Sequence, residues 1–167
     1  MFGTLFINFY PGNYTVHSGR YLGLNDYSLD LYGWKKAGKK FDSIYLNYQE
    51  KNIIPHNTPV ICNAWWGAHI EYYFCRPANI QMIGLGNVMD IHEYAWRNAR
   101  RKDSANLQQA FCIIPSTGFY NVRHAYKNYY GYADSVTTIQ ILRNKKPAEN
   151  FYVYHLSGWK GNLPVEH

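Results

Sequence analysis

Across residues 28–48 the apolar positions Leu31, Trp34, Ala37, Phe41, Ile44, Tyr45 and Tyr48 recur at steps of three and four, with Lys35, Lys36, Lys39 and Lys40 opposite them. This spacing predicts an amphipathic helix, capped by Asp26 or Ser28 and ended before the proline-containing stretch 52–59. The period then changes. Residues 58–63 form a short apolar run suited to a buried strand, and residues 64–74 return to helical spacing, with Trp66, Ile70, Tyr73 and Phe74 on one face. Arg76-Pro77 stops that helix, because proline cannot continue one. The next predicted elements are a strand over 80–84, a helix over 88–101, a strand over 109–114 and a short helix over 119–129. Residues 134–142 and 150–156 alternate as strands, joined by a hairpin-like connection over 143–147.

Strand and helix therefore alternate until two strands follow one another directly. The order predicts an α/β fold, three-layer-like, with a mostly parallel sheet of about five strands, flanking helices and an antiparallel C-terminal edge hairpin. Residues 26–160 form a single domain in this reading, and 161–167 are a tail. The first 25 residues lack a period, contain Pro11, Gly12, Gly19 and Gly23, and read as an approach segment. Residues 1–10 are the longest apolar stretch, well short of the ~18 residues that a membrane span requires.

Composition then narrows the function classes. Seventeen Tyr, five Trp and eight Phe make 18% of the 167 residues aromatic, and 47% hydrophobic with 17% charged is the reverse of a disordered composition. Most of these rings carry a polar handle that suits half-wet positions. Cys62, Cys75 and Cys112 are odd in number and lack CxxC spacing, so they read as small buried hydrophobes and not as a disulfide framework or zinc site. The net charge of +6 gathers in three basic clusters, at Lys35/Lys36/Lys39/Lys40, Arg97/Arg100/Arg101/Lys102 and Arg143/Lys145/Lys146. The first two fall on predicted solvated helix faces, which argues against nucleic acid as a partner. A membrane surface suits the composition better, since Lys and Arg favour anionic head groups and Tyr and Trp settle at the interface.

Candidate chemistry is sparse. Gly84-Leu-Gly86 stands where a dinucleotide fingerprint would, but the third glycine and a following ribose-binding acid are missing, which leaves a tight turn. The histidines are scattered, and His92 and Glu93 point apart on a helix, so no metal site or other cofactor is expected. No nucleophile elbow is present, and no catalytic residue is assigned. The distinctive stretch is 59–77, where a strand ending at Asn63 is followed at once by Trp65 and Trp66. In open α/β sheets ligands meet the carboxyl ends of strands, so this is where a site belongs.

Gly33-Trp34, Pro59 to Asn63, Ala68 through Tyr72-Tyr73-Phe74, Arg76-Pro77 and Tyr94-Ala-Trp96 together resemble the C-terminal extracytoplasmic domain of family 39-type glycosyltransferases. These are polytopic membrane enzymes related to the protein O-mannosyltransferases and the lipid A aminoarabinose transferase. The tail fits as well, with Tyr129-Tyr130-Gly-Tyr132, Arg143-Asn144 and Phe151 to Tyr154 closing on Gly158-Trp159. The resemblance implies an enzyme that takes a sugar from a polyprenyl-phosphate donor outside the cytoplasm, with its catalytic acids in loops between membrane helices. The domain alone would then be inactive, with residues 1–10 leaving a last membrane span. Its partners would be its own transmembrane domain, the lipid-linked donor, the acceptor and the membrane surface. Asn63, Trp65, Trp66, Tyr72, Arg76, Asn87, Tyr94 and Trp96 are the candidate substrate-binding residues, the aromatics stacking on sugar C–H faces and Arg76 meeting phosphate. The alternative is a free-standing α/β module that binds carbohydrate or protein.

Overall fold

The computed structural model describes residues 15–91, 93–100 and 107–161. A 3₁₀ turn over Tyr27–Leu31 comes first, capped by Asp26, whose carboxylate accepts from the Ser28 backbone N–H at 3.1 Å. Helix α1, Trp34–Glu50, begins later than the spacing predicts, because Gly33 adopts a left-handed φ of 91° that glycine alone takes at little cost. A Cβ at Gly33 would also stand 2.9 Å from Cγ2 of Ile141. From Trp34 onward the stripe behaves as expected, with Trp34, Ala37, Phe41 and Tyr45 buried. Leu31 belongs to that stripe by spacing but precedes the break, and it is 74% exposed.

Strand β1 is Val60–Cys62, and helix α2, Ala64–Ile70, runs into a π-helical turn, Glu71–Cys75. Strand β2 is Met82–Gly84, followed by α3, Val88–Ile91, and α4, Glu93–Arg100, in the stretch predicted as one helix. Strand β3 is Gln109–Pro115, and α5 is a single turn, Val122–Ala125. Two long strands follow, β4 over Tyr130–Arg143 and β5 over Lys146–Trp159. Asn144 and Lys145 connect them with φ of 50° and 65°. Positive φ at both central residues marks a type I′ turn, whose twist matches that of a hairpin.

The described strands form one sheet in the order β2-β1-β3-β5-β4. β1 pairs parallel with β2 and β3, placing Ile61 opposite Ile83 and Val60 opposite Phe111. β5 pairs antiparallel with β3 and β4. The sheet is thus mixed. Its parallel part stops at β3, which corrects the expected mostly parallel sheet: the hairpin strands are long enough to contribute half of the four pairings.

Alternate residues of β1 and β3 supply opposite faces. Val60, Cys62, Phe111 and Ile113 pack with α1, α2, the π-turn and α4, whereas Ile61, Ala110, Cys112 and Ile114 pack with Val122, Tyr126 and Tyr130. Burial on both faces explains why β1 reads as an unbroken apolar run. The second layer is thin, because α5 is short and tyrosines cover much of that face. Cys62, Cys75 and Cys112 are buried and joined by no disulfide. Residues 15–25 fold back on themselves, the Gly23 N–H donating to the Val16 carbonyl at 2.8 Å, and are fastened to the sheet by the Tyr152 hydroxyl, which donates to the Arg20 carbonyl at 3.1 Å. No helix among the described residues is long and apolar enough to cross a membrane.

Candidate functional site

The three parallel strands β1, β2 and β3 end side by side, and the connections leaving them enclose a pocket of about 750 Å³. Asn63 enters it from the end of β1, Leu85 from the end of β2 and Tyr120 from the chain beyond β3. Trp65, Asp90 and Tyr126 complete its polar and aromatic lining. Trp65 is 80% exposed, in the first turn of α2. Asn63 precedes that helix without spending its side chain on a capping bond.

Beneath the pocket lies a chain of protonated groups. The Tyr120 and Tyr126 hydroxyls are 3.1 Å apart, and Cys112 Sγ is 3.7 Å from the Tyr120 hydroxyl. Burial raises the pKa of both phenols well above the usual range, and it pushes the Cys112 thiol up to about 12. Burial likewise raises the Cys62 thiol well above its ordinary value. These side chains therefore stay protonated near neutral pH. They donate and accept hydrogen bonds but supply no thiolate or phenolate nucleophile.

A second concavity, of about 470 Å³, lies between α2 with its π-turn and α4, and it gathers Tyr72, Arg76 and Tyr94 with Glu71, Glu93 and Arg97. Arg97 pairs with the Glu71 carboxylate through both terminal nitrogens, one bond measuring 2.6 Å, and this pairing raises the Arg97 pKa. Its guanidinium also lies 5.1 Å from the centroid of the Tyr94 ring. Tyr94 is only 2% exposed, and its ring rests where Gly67 and Gly84 have no side chain. Burial raises its hydroxyl pKa to about 12. With its faces covered, Tyr94 packs α4 against the sheet and presents no stacking surface. Tyr72 is 59% exposed, and Arg76 lies 6.0 Å from its ring centroid.

The other candidates separate. Trp66 turns inward, its ring 5.5 Å from that of Trp34 and against Gly118. Asn87 caps α3, accepting the Met89 N–H at 3.0 Å through its side chain. Trp96 is 50% exposed on α4 and lines neither concavity. Gly84 serves packing, because a Cβ there would collide with Tyr94. Among the described residues no group of three metal-ligating side chains is positioned to hold an ion. His92, Arg101 and Lys102 lie outside the described residues.

Sequence reading thus identified Asn63 and Trp65 in the carboxyl-end pocket but missed Asp90, Tyr120 and Tyr126. Asp90 stands in the first turn after β2, where strand-end reasoning had a signal to offer. The two tyrosines follow β3 by five residues or more, and nothing local marked them. Comparison with protein-family models, with curated proteins and with solved structures finds no match for this chain.

Proposed function

We propose that this chain is the extracytoplasmic domain of an integral membrane glycosyltransferase of the family 39 type, and that it holds a sugar of the polyprenyl-phosphate donor or of the acceptor. One observation carries the reading: a largely exposed indole, Trp65, rims a pocket of about 750 Å³ that is also lined by the Asn63 amide, the Asp90 carboxylate and the side chains of Tyr120 and Tyr126. A sugar ring has C–H groups on its faces and hydroxyls around its edge. Trp65 stacks on the face, while the Asn63 amide and the Asp90 carboxylate meet the hydroxyls as donor and acceptors above the Tyr120–Tyr126 pair. Tyr72 and Arg76, in the neighbouring concavity, extend the surface toward the phosphate or the acceptor. The reaction itself belongs to residues of the membrane part, so the domain binds and positions but is inactive alone.

The test is a titration of ¹⁵N-labelled protein with methyl α-mannoside and with a short-chain prenyl-phosphate mannose, followed by NMR. Shifts are expected at Asn63, Trp65, Asp90, Tyr120 and Tyr126, with Trp65→Ala weakening binding at least about tenfold, or ~1.4 kcal/mol. Shifts confined to the β4 edge would overturn the assignment. Equal affinity for the free glycoside and the prenyl phosphate would favour the free-standing carbohydrate module.

A further inference from the structure

A third concavity, of about 330 Å³, is unlike the other two. It lies at the start of α1, floored by Trp34 and Tyr73, walled by Leu31 and rimmed by Lys35, Lys36 and Lys39. Among the described residues no acidic side chain lines it. The acids nearest in sequence are Asp30, on the 3₁₀ turn, and Asp42, more than half a turn beyond the last lysine. Glu71, two residues before Tyr73, lines the neighbouring concavity and is engaged by Arg97. Trp34 cannot serve as a polar partner, since its indole N–H donates to the Leu29 carbonyl at 3.1 Å. The groove therefore offers three ammonium groups over an apolar floor.

The apolar residues beside it point outward. Leu31 is 74% exposed and Tyr27, on the same 3₁₀ turn, is 84% exposed. Leu142, 47% exposed, joins this patch through Tyr32, whose hydroxyl donates to the Leu142 carbonyl at 3.1 Å and whose ring centroid lies 5.5 Å from Lys36 Nζ. Leu31 is exposed because the left-handed Gly33 interrupts a stripe that would otherwise have buried it. Exposed Leu and Tyr flanked by lysines are the composition of an element that lies in the interface of a bilayer.

We infer that the Tyr27–Leu31 turn and the first two turns of α1 form a docking face for an anionic bilayer surface. Leu31 and Tyr27 enter the head-group region, and Lys35, Lys36 and Lys39 meet lipid phosphates over the groove. The inference rests on the proposed membrane enzyme only in requiring a bilayer close by. It places the contact away from the sugar pocket, so the two readings fail separately.

The experiment is flotation of the full chain with phosphatidylcholine vesicles and with vesicles containing about a third phosphatidylglycerol. Binding is expected to the anionic vesicles at low salt and to fall steeply as salt rises. Lys35→Glu with Lys39→Glu, and separately Leu31→Asp, should each weaken it about tenfold or more. Lys145→Glu with Lys146→Glu, on the hairpin turn, should change it far less, and matching thermal melts establish that every variant is folded. Failure to bind anionic vesicles at low salt overturns the inference, as does binding indifferent to the α1 and Leu31 substitutions. Release by inorganic phosphate at constant ionic strength would instead identify a site for free phosphate. A negative result here leaves the sugar titration untouched.

Discussion

The two halves of the sheet use their backbone differently. β1 and β2 are three residues long and wholly buried, whereas β4 and β5 are fourteen residues each and alternate in exposure over much of their length. Parallel strands cannot be joined by a tight turn, so each must be followed by a long connection. Those connections carry Asn63, Trp65 and Asp90. The hairpin needs two residues to reverse direction, and it leaves no loop in which a ligand could be held. The proposed sugar pocket therefore lies where the strands are shortest, and the long strands contribute burial and register.

The largest test of this division is Phe151→Ala. Phe151 is fully buried on β5, with its ring 4.9 Å from Trp34 and 5.7 Å from Phe74. Truncation is expected to cost about 3–5 kcal/mol in urea unfolding. Sugar affinity per folded molecule should be unchanged. A parallel loss of affinity would show that the two halves are not separable.

Next in size is Glu149, also on β5. It is fully buried, its Oε1 accepts from the Thr117 hydroxyl at 3.3 Å, and its Oε2 has no hydrogen-bond partner. Burial raises its pKa well above the usual carboxyl range. Asp30 and Asp26 raise it further, against Thr117 and Arg143. The folded state then keeps a proton that the unfolded chain releases. Stability from this group is complete below the ordinary glutamate pKa and falls by ~1.4 kcal/mol per pH unit as pH rises through the window up to the raised folded value. Glu149→Gln should remove that slope and leave the protein more stable at neutral pH. An unchanged slope in unfolding measured from mildly acidic to alkaline pH would locate the effect in other groups.

The hairpin was legible because its period is local: Ile139, Ile141, Phe151 and Val153 alternate inward, and only the lengths of the strands were underestimated. The buried stripe of α1 was legible for the same reason. Its start was not, because Asp26 is a good cap and does cap a helical turn, but Gly33 then breaks the run. Trp65 and Trp66 pose a different difficulty. Neighbouring residues on a helix point about 100° apart, so a pair of tryptophans cannot share one environment. Which of them faces solvent depends on Trp34 and Gly118, both distant in sequence. Tyr94 looked like a site residue for want of one fact, that Gly67 and Gly84 leave room for its ring. Tyr120 and Tyr126 join the pocket only because β3 lies beside β1, a pairing that no short-range pattern displays.

A smaller change tests the hairpin's own turn. Lys145 holds a φ of 65° in a position that type I′ turns give to glycine. Lys145→Gly relieves the left-handed strain of a side chain and adds freedom to the unfolded chain, so the net gain is expected to be roughly 0.5 kcal/mol. A loss of stability in thermal unfolding would mean that the lysine side chain contributes more than its backbone costs.

The smallest expected effect on stability is the most informative for function. Trp65 is 80% exposed, so Trp65→Ala should shift unfolding by no more than about 0.5 kcal/mol, as surface substitutions commonly do. Its inward neighbour should behave in the opposite way, since Trp66→Ala opens space against Trp34 and Gly118 and is expected to cost roughly 3 kcal/mol or more. The pair then separates binding from packing within two adjacent residues. Sugar shifts should vanish with Trp65→Ala while the fold persists, and they should survive Trp66→Ala wherever the protein remains folded. If Trp65→Ala proves as destabilising as Trp66→Ala, the indole at the pocket rim is structural, and the case for a sugar resting on it is lost.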